Sequence, residues 1–414
     1  MRPFKLFYGK FHPADPPFLR GILHVCLAAA LLAGGTVFAQ AQTTLPGRRH
    51  TLPITKFYDT PHPLPGGKPG ELIRSQEFSE ESPQYELPLS VDAVRILYHS
   101  RSATGEDVAT SGVVLIPSGK IPPAGGWPII AWAHGAAGVA RSCAPSLTRN
   151  LGHGPFLSMY VNLGYAVVAT DYTGLGTDFR NAFLDAPSNA ADLIASIPAA
   201  RAAVPQLGTR WIVMGEAEGS LAAMAVAEKE NEIRDAGYLG SIAISGLADV
   251  HEIYMREIYG HAADPFLLAS LAYGIRTVYP QFQVTDMLTE KGVALYHEVE
   301  QACGDPGKAA GLSAAEAVKP GWQDSGFVRQ YFARSSLAQA RAYGPVMVIS
   351  GDADQAIPPA MTSKAVVRMC KQGDLVQWQR YPLDSGEVIG ASARDQIAWI
   401  GARFAGRQST ANCP

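Results

Sequence analysis

Five short segments hold most of the residues able to do chemistry, and each follows an apolar run. They are His134-Gly135-Ala136-Ala137-Gly138, Asp171-Tyr172-Thr173-Gly174-Leu175-Gly176, Gly215-Glu216-Ala217-Glu218-Gly219-Ser220, Gly351-Asp352-Ala353-Asp354 and Asp384-Ser385-Gly386-Glu387. Carboxylates dominate them. Gathered into one centre, Glu216, Glu218, Glu387 and Asp354 would form an acidic site suited to acid–base work or to holding a cation. Taken separately, they read as solvated helix and turn residues. Nucleophilic chemistry needs a hydroxyl or thiol beside a base. The only imidazole in these segments is His134, and no histidine occurs after His297. No metal site is expected, because the cysteine spacing fits no zinc template and no histidine lies near enough in sequence to complete one. No cofactor is expected either.

The elements that must position these segments can be read from the apolar periodicity. Ala93–His99 and Val108–Ile116 are β-like runs on either side of Thr104-Gly105-Glu106-Asp107, the pattern of a hairpin. Pro128–Ala133, Tyr165–Thr170, Arg210–Met214, Ser241–Ser245, Val346–Ser350 and Val376–Tyr381 follow as short strands. Most are continuous apolar runs, as expected of strands buried on both faces. Helical stretches at Ala190–Ala203, Ser220–Glu230, Pro359–Lys371 and Ala393–Phe404 alternate with them. That order predicts an α/β fold with a mostly parallel sheet and helices on both faces. In such sheets ligands bind beyond the carboxyl ends of the strands, which is where the five segments fall.

One interval breaks the alternation. Between Ser245 and Val346 lie about a hundred residues with helical runs at Val250–Tyr259, Pro265–Thr277, Leu288–Cys303 and Phe327–Arg341. A stretch of this length between core strands is expected to be an inserted cap, residues 251–344. The core then comprises 93–250 and 345–414. Residues 42–92, rich in proline and glycine, read as an extended N-terminal arm.

Composition narrows the setting. Of 414 residues, 47% are hydrophobic and 17% charged, below the roughly 25% charged share of an average soluble domain. Arg2, Lys5, Lys10 and Arg20 precede the apolar run Gly21–Phe38 and the small-residue site Ala39-Gln40-Ala41. This is a signal-peptide pattern with cleavage expected after Ala41, and an uncleaved anchor is the alternative. Removing four basic groups and one acid takes the net charge from −3 to −6, so composition offers no electrostatic reason for nucleic-acid binding. A secreted or periplasmic location follows. Four cysteines remain, an even count that suggests two disulfides with three connectivities. Cys370–Cys413 is the simplest tie for the C-terminal tail, leaving Cys143–Cys303.

The runs GWPIIAWAHGAAGVARSCAPS, GYAVVATDYTGLGT and GDADQAIPP, the turn Gly215–Gly219 and the closing WIGARFAG together resemble the bacterial and fungal secretory lipases. The resemblance extends over nearly all of residues 93–406, in the same order. It implies an α/β-hydrolase fold with a Ser-Asp-His triad, the serine on a strained strand-to-helix turn written G-x-S-x-G. Here that turn reads GEAEG, so Ala217 holds the nucleophile position. No other G-x-S-x-G occurs, and Ser220 lacks the elbow geometry. Asp354 matches the triad acid, while Asp352 reads as a local turn residue. Ser385 falls at the histidine position. His134 belongs to the oxyanion loop, and His251, His261 and His297 read as residues of the inserted cap. Oxyanion donors are expected from the Gly135–Ala137 loop, with Ala136 central, and from the Glu218 N–H.

A methyl group can neither attack nor be activated. The resemblance therefore implies a degenerate lipase or carboxylesterase, a pseudoenzyme binding a lipid or ester-like small molecule. The alternative is an active lipase or esterase using a non-standard site. Transient contact of the cap with a lipid surface is a further expectation.

Overall fold

The computed structural model describes residues 52–77, 85–247, 249–259, 264–301, 303 and 311–414. The expected signal peptide and its cleavage site lie outside them, as does His261. Among the described residues no helix is long and apolar enough to cross a membrane.

The described strands form one sheet: β1 Leu72–Glu77, β2 Val91–Arg101, β3 Asp107–Pro117, β4 Trp127–Ala133, β5 Ala166–Thr170, β6 Leu207–Glu216, β7 Tyr238–Ile244, β8 Val346–Gly351 and β9 Val376–Tyr381. Their order is β1-β2-β3-β5-β4-β6-β7-β8-β9. The first three strands and the β3–β5 pair are antiparallel, and every pair from β5 to β9 is parallel. This is the α/β-hydrolase architecture. After β4 the chain steps to one side to make β5, then crosses to the other side to make β6. The carboxyl ends of β4 and β6 therefore flank the point where the strand order reverses, the usual place for a ligand in an open α/β sheet. In register, Ala133 pairs with Gly215, so the segments that follow these strands begin side by side.

The sequence accounts for the layers. In β4, Ile129 and Ala131 pack into the apolar cluster on one face of the sheet, while Ile130 and Trp132 enter the cluster on the other. That two-residue alternation, with apolar side chains on both faces, is what a covered parallel strand requires. One face is covered by α2, Ala186–Ala203, and α3, Glu218–Ile233. The opposite face is covered by α1, Gly154–Asn162, which contributes Leu157, Tyr160 and Val161, and by a C-terminal helix contributing Trp399 and Ile400. Burying each such large side chain contributes roughly 1.5–3 kcal/mol.

Between β7 and β8 the chain makes α4 Val250–Tyr259, α5 Pro265–Val278, α6 Glu290–Val299, the short α7 Ala314–Ala317 and α8 Gly326–Arg334. Sequence-local signals start several of these helices. Asp264 accepts from the Phe266 N–H ahead of Pro265, Thr289 accepts from the Gly292 N–H, and Ser313 and Glu316 form a reciprocal capping box. The insertion shares one continuous apolar cluster with the sheet: Leu268, Leu271, Ile275 and Tyr331 join Val114, Val168 and Val213. It is anchored by a paired charge, Arg334 Nε to Asp185 Oδ1 at 2.6 Å, and by the Ser335 hydroxyl, which donates to the Leu184 carbonyl at 2.9 Å. After β8 come α9 Pro359–Gln372, α10 Ser385–Ala391 and α11 Ala393–Phe404.

Four elements depart from the sequence reading. The region read as an extended arm contains β1, an edge strand paired to β2. Its side chains are half-buried or exposed, so it carries no apolar signature. Helix α1 and the short α7 were not expected, and α10 occupies a segment to which no element was assigned. Both disulfides are present, Cys143–Cys303 and Cys370–Cys413. The first joins the β4–α1 connection to the insertion, and the second holds the C-terminal tail on α9.

Candidate functional site: an elbow without a hydroxyl

Ala217 sits at the tip of the turn between β6 and α3 with φ 51° and ψ −117°. That region is strained for any residue with a Cβ. The turn is held by the Ala217 N–H donating to the Ile244 carbonyl at 3.0 Å and the Ser220 N–H donating to the Ala217 carbonyl at 3.0 Å. The two glycines are demanded by contact. A Cβ on Gly215 would fall 2.0 Å from the Gly219 carbonyl oxygen, and one on Gly219 would fall 1.9 Å from that of Ala133. Ser220 is fully buried and its hydroxyl donates to the Ala217 carbonyl at 2.7 Å. It is engaged in closing the turn, and its hydroxyl is not presented to a ligand.

The loop after β4 lies against this tip. A Cβ placed on Gly135 would be 3.3 Å from the Ala217 Cβ and 3.1 Å from Glu216 Oε2. His134, behind it, is buried, with Nδ1 2.7 Å from the Gly135 carbonyl and Nε2 3.2 Å from the Asp171 carbonyl. It stacks on Tyr172 at 4.2 Å, and burial holds its imidazole below the ordinary range. The β5 loop is fixed in turn by the buried Asp171, which accepts from the Ser146 N–H at 2.8 Å and the Ser111 hydroxyl at 2.7 Å. Residues expected to serve an oxyanion are thus brought together: Gly135 touches the elbow, and Ala136, Ala217 and Glu218 line one pocket.

That pocket has a volume of about 140 Å³. Leu221 and Gly246 continue its core side, Val250, Ile253 and Tyr254 of α4 and Leu267 of α5 bring in the insertion, and Ile357 comes from the loop after β8.

The carboxylates have separate surroundings. Glu218 Oε1 accepts from the Leu184 N–H at 3.0 Å and from Asn189 Nδ2 at 2.9 Å. Burial nevertheless pushes its carboxyl up to about 7, with those two hydrogen bonds opposing the shift. Glu216 is also raised by burial, and its Oε2 lies 3.5 Å from His153 Nε2. Glu387 is exposed on α10. Among the described residues, no group of three or more His, Cys, Asp or Glu side chains could hold a metal ion.

Asp354 is buried, and its Oδ1 accepts from the Ile357 N–H at 2.8 Å, so it shapes the loop that reaches the pocket. Asp352 instead faces Arg380, 2.8 Å from its Nε. The loops after β8 and β9 are stitched together by the Ala353 N–H donating to the Leu383 carbonyl at 3.0 Å. Ser385 follows as the first residue of α10, half-buried, with Asp384 as the N-cap accepting from the Glu387 N–H. The sequence reading missed His153. It precedes Gly154-Pro155 at the start of α1, packs edge-on to Trp132 and faces Glu216. The histidine-glycine-proline string was a helix-start signal from which its location could have been read.

Solved structures share this arrangement at the level of the fold. Candida antarctica lipase A in its closed state superposes with a TM-score of 0.72 at 16% identity, covering 88% of this chain and 89% of that one. A rice cell wall degrading esterase, LipA from Xanthomonas oryzae, gives 0.65 at 19% identity, with 82% and 96% covered. A putative hydrolase from Legionella pneumophila gives 0.67 at 19%, with 80% and 98% covered. No curated protein sequence matches significantly. The secretory lipase family model matches residues 154–412, a stretch that runs from α1 through the elbow and the insertion to the C-terminal tail. More than half of the chain is thereby accounted for, and the protein belongs to the secretory lipase family.

Proposed function

We propose that this chain is an exported pseudoenzyme of the family: it keeps the pocket of an ester hydrolase and holds a lipid or ester-like ligand there without cleaving it. The observation that carries this reading is the methyl group of Ala217 at the tip of an intact elbow, lining an apolar pocket. Acyl transfer needs a hydroxyl at that point and a base to take its proton. Here the residue at the expected base position is Ser385, which begins a helix. In a well-studied serine protease, losing the serine or the histidine costs about 10⁶ in turnover, leaving roughly 10³–10⁴ over water. The structural neighbours include a lipase and an esterase, which makes an ester the natural ligand class. Two disulfides fit an oxidising compartment and thus export.

The backbone donors of an oxyanion hole remain in this reading, at Ala136 and Glu218, but the buried Glu218 carboxylate and the half-buried Glu216 carboxylate flank them. A carboxylate beside a developing oxyanion opposes the charge that acyl transfer must stabilise. Asp354 keeps its loop role in the absence of a histidine to orient.

A second reading is an esterase with a non-standard site, and one observation favours it. His153 and Glu216 form an imidazole–carboxylate pair beside the oxyanion loop, suited to activating a water. Both readings are tested by hydrolysis of p-nitrophenyl butyrate and palmitate. Wild type should show no turnover above background and no labelling by a fluorophosphonate probe. The double variant Ala217→Ser, Ser385→His should gain turnover that Asp354→Ala then removes. Wild-type turnover lost in Asp354→Ala would overturn the pseudoenzyme reading, and turnover lost in His153→Ala would establish the second.

A further inference from the structure

Resting on the reading of the Ala217 pocket as the ligand site, we propose that it takes the acyl part of a small, uncharged ester and refuses both long acyl chains and free carboxylates.

Size supplies the first argument. The pocket measures about 140 Å³, well below the roughly 300–1,000 Å³ of sites that enclose drug-sized ligands. An apolar cavity of roughly 150 Å³ engineered into an unrelated protein stays dry and holds benzene. A four- to six-carbon group is therefore the scale that the walls enclose, and a fatty-acyl chain would leave most of its length uncovered.

The walls supply the second. Ala136, Ala217 and Leu221 come from the core, and Ile253, Tyr254 and Leu267 from the insertion. Aliphatic and aromatic carbon on both sides favours a hydrocarbon group. Tyr254 adds one polar requirement. Its ring is fully buried, and its hydroxyl has no hydrogen-bond partner among the described residues. A buried phenol lacking an acceptor is costly; because this hydroxyl has no free surface, a small turn of the ring as the ligand enters would be needed for an ester carbonyl to satisfy it.

Charge supplies the third. Glu218 lines the pocket, and Glu216 Oε2 and the Ala217 Cβ both lie within 3.3 Å of the same point above Gly135. Among the described residues neither carboxylate forms an ion pair with lysine or arginine, and the group facing Glu216 is the His153 imidazole. At a pH where both are ionised, a ligand carboxylate would meet two like charges in a poorly solvated place. An ester of the same length would not.

The test is a ligand-observed NMR titration of the whole secreted protein at pH 8, using methyl butyrate, sodium butyrate, methyl laurate and benzene. Methyl butyrate and benzene should bind, with butyrate and methyl laurate at least tenfold weaker. Ile253→Trp and Leu267→Trp, each at a half-buried site, should each abolish binding while thermal unfolding stays cooperative. Tyr254→Phe should weaken methyl butyrate several-fold and leave benzene unchanged. Butyrate binding as tightly as its methyl ester would overturn the charge argument, and laurate binding as tightly would overturn the size argument. An unchanged methyl butyrate affinity in Tyr254→Phe would replace the ester by a plain hydrocarbon. The same spectra report any methanol released: hydrolysis by wild type would sink the pseudoenzyme reading while leaving the ligand class intact.

Discussion

Glu218 concentrates the site's chemistry in one side chain. It is the first residue of α3 and buried, and its carboxyl is raised to about 7 despite two hydrogen bonds. For an acid with a folded-state value above its unfolded one, the folded state holds the proton over a window in which the unfolded state has lost it. Stability is therefore highest below the unfolded value near 4 and falls as pH rises through about 7. Asp192, buried and raised to about 6 by desolvation, acts in the same direction over a narrower window. Glu218→Gln keeps an acceptor for Leu184 and Asn189 and removes the charge. It is expected to raise unfolding stability at pH 8 by on the order of 2 kcal/mol and to change little at pH 4. Urea melts at the two pH values check this, and equal effects at both would remove burial of the charge as the cause.

At the scale of the element, the strand–turn–helix elbow persists although the hydroxyl it would display does not. A displayed nucleophile justifies a residue at φ 51°, but a methyl group there receives the strain with no catalytic return. Ala217→Gly is expected to stabilise the fold by about 1 kcal/mol, the relief of left-handed strain exceeding the entropy cost of glycine. Denaturant unfolding measures it, and a loss of stability would mean that the Ala217 methyl packs for more than the strain it carries. The elbow was legible in the sequence because its two glycines are local contact requirements. The α10 helix was not legible: Ser385 sits in a run, LDSGEVIGAS, whose helix is seven residues long and buries only Val388. Edge strand β1 was missed for a related reason, since half-exposed residues have no apolar period to read.

Across the whole molecule, the insertion is held to the core by shared apolar packing, by Arg334 on Asp185 and by one covalent tie. Cys143–Cys303 closes a loop of 160 residues between the β4–α1 connection and the insertion. Replacing both cysteines by serine should cost roughly 2–5 kcal/mol. It should also speed proteolytic nicking of the insertion relative to the sheet, as limited digestion would record. Unchanged digestion would assign the anchoring to the apolar cluster alone.

The order and type of the main elements were determined by the sequence itself. Parallel strands covered on both faces must be apolar throughout, and local capping residues mark where several of the helices start. The missing hydroxyl at Ala217 and the absence of any histidine beyond His297 were equally plain, being matters of composition. Tertiary structure alone decided the rest. The sheet order brings β4 beside β6, so Gly135 meets Ala217 across 82 positions of chain. Helices α4 and α5 reduce the space over the elbow to about 140 Å³. Glu218 turns toward Leu184, Glu216 toward His153, and Glu387 stays in solvent, so three of the four acids that could have formed one centre have three environments. Pocket volume and carboxylate environment depend on which distant residues pack together, and no local spacing encodes them.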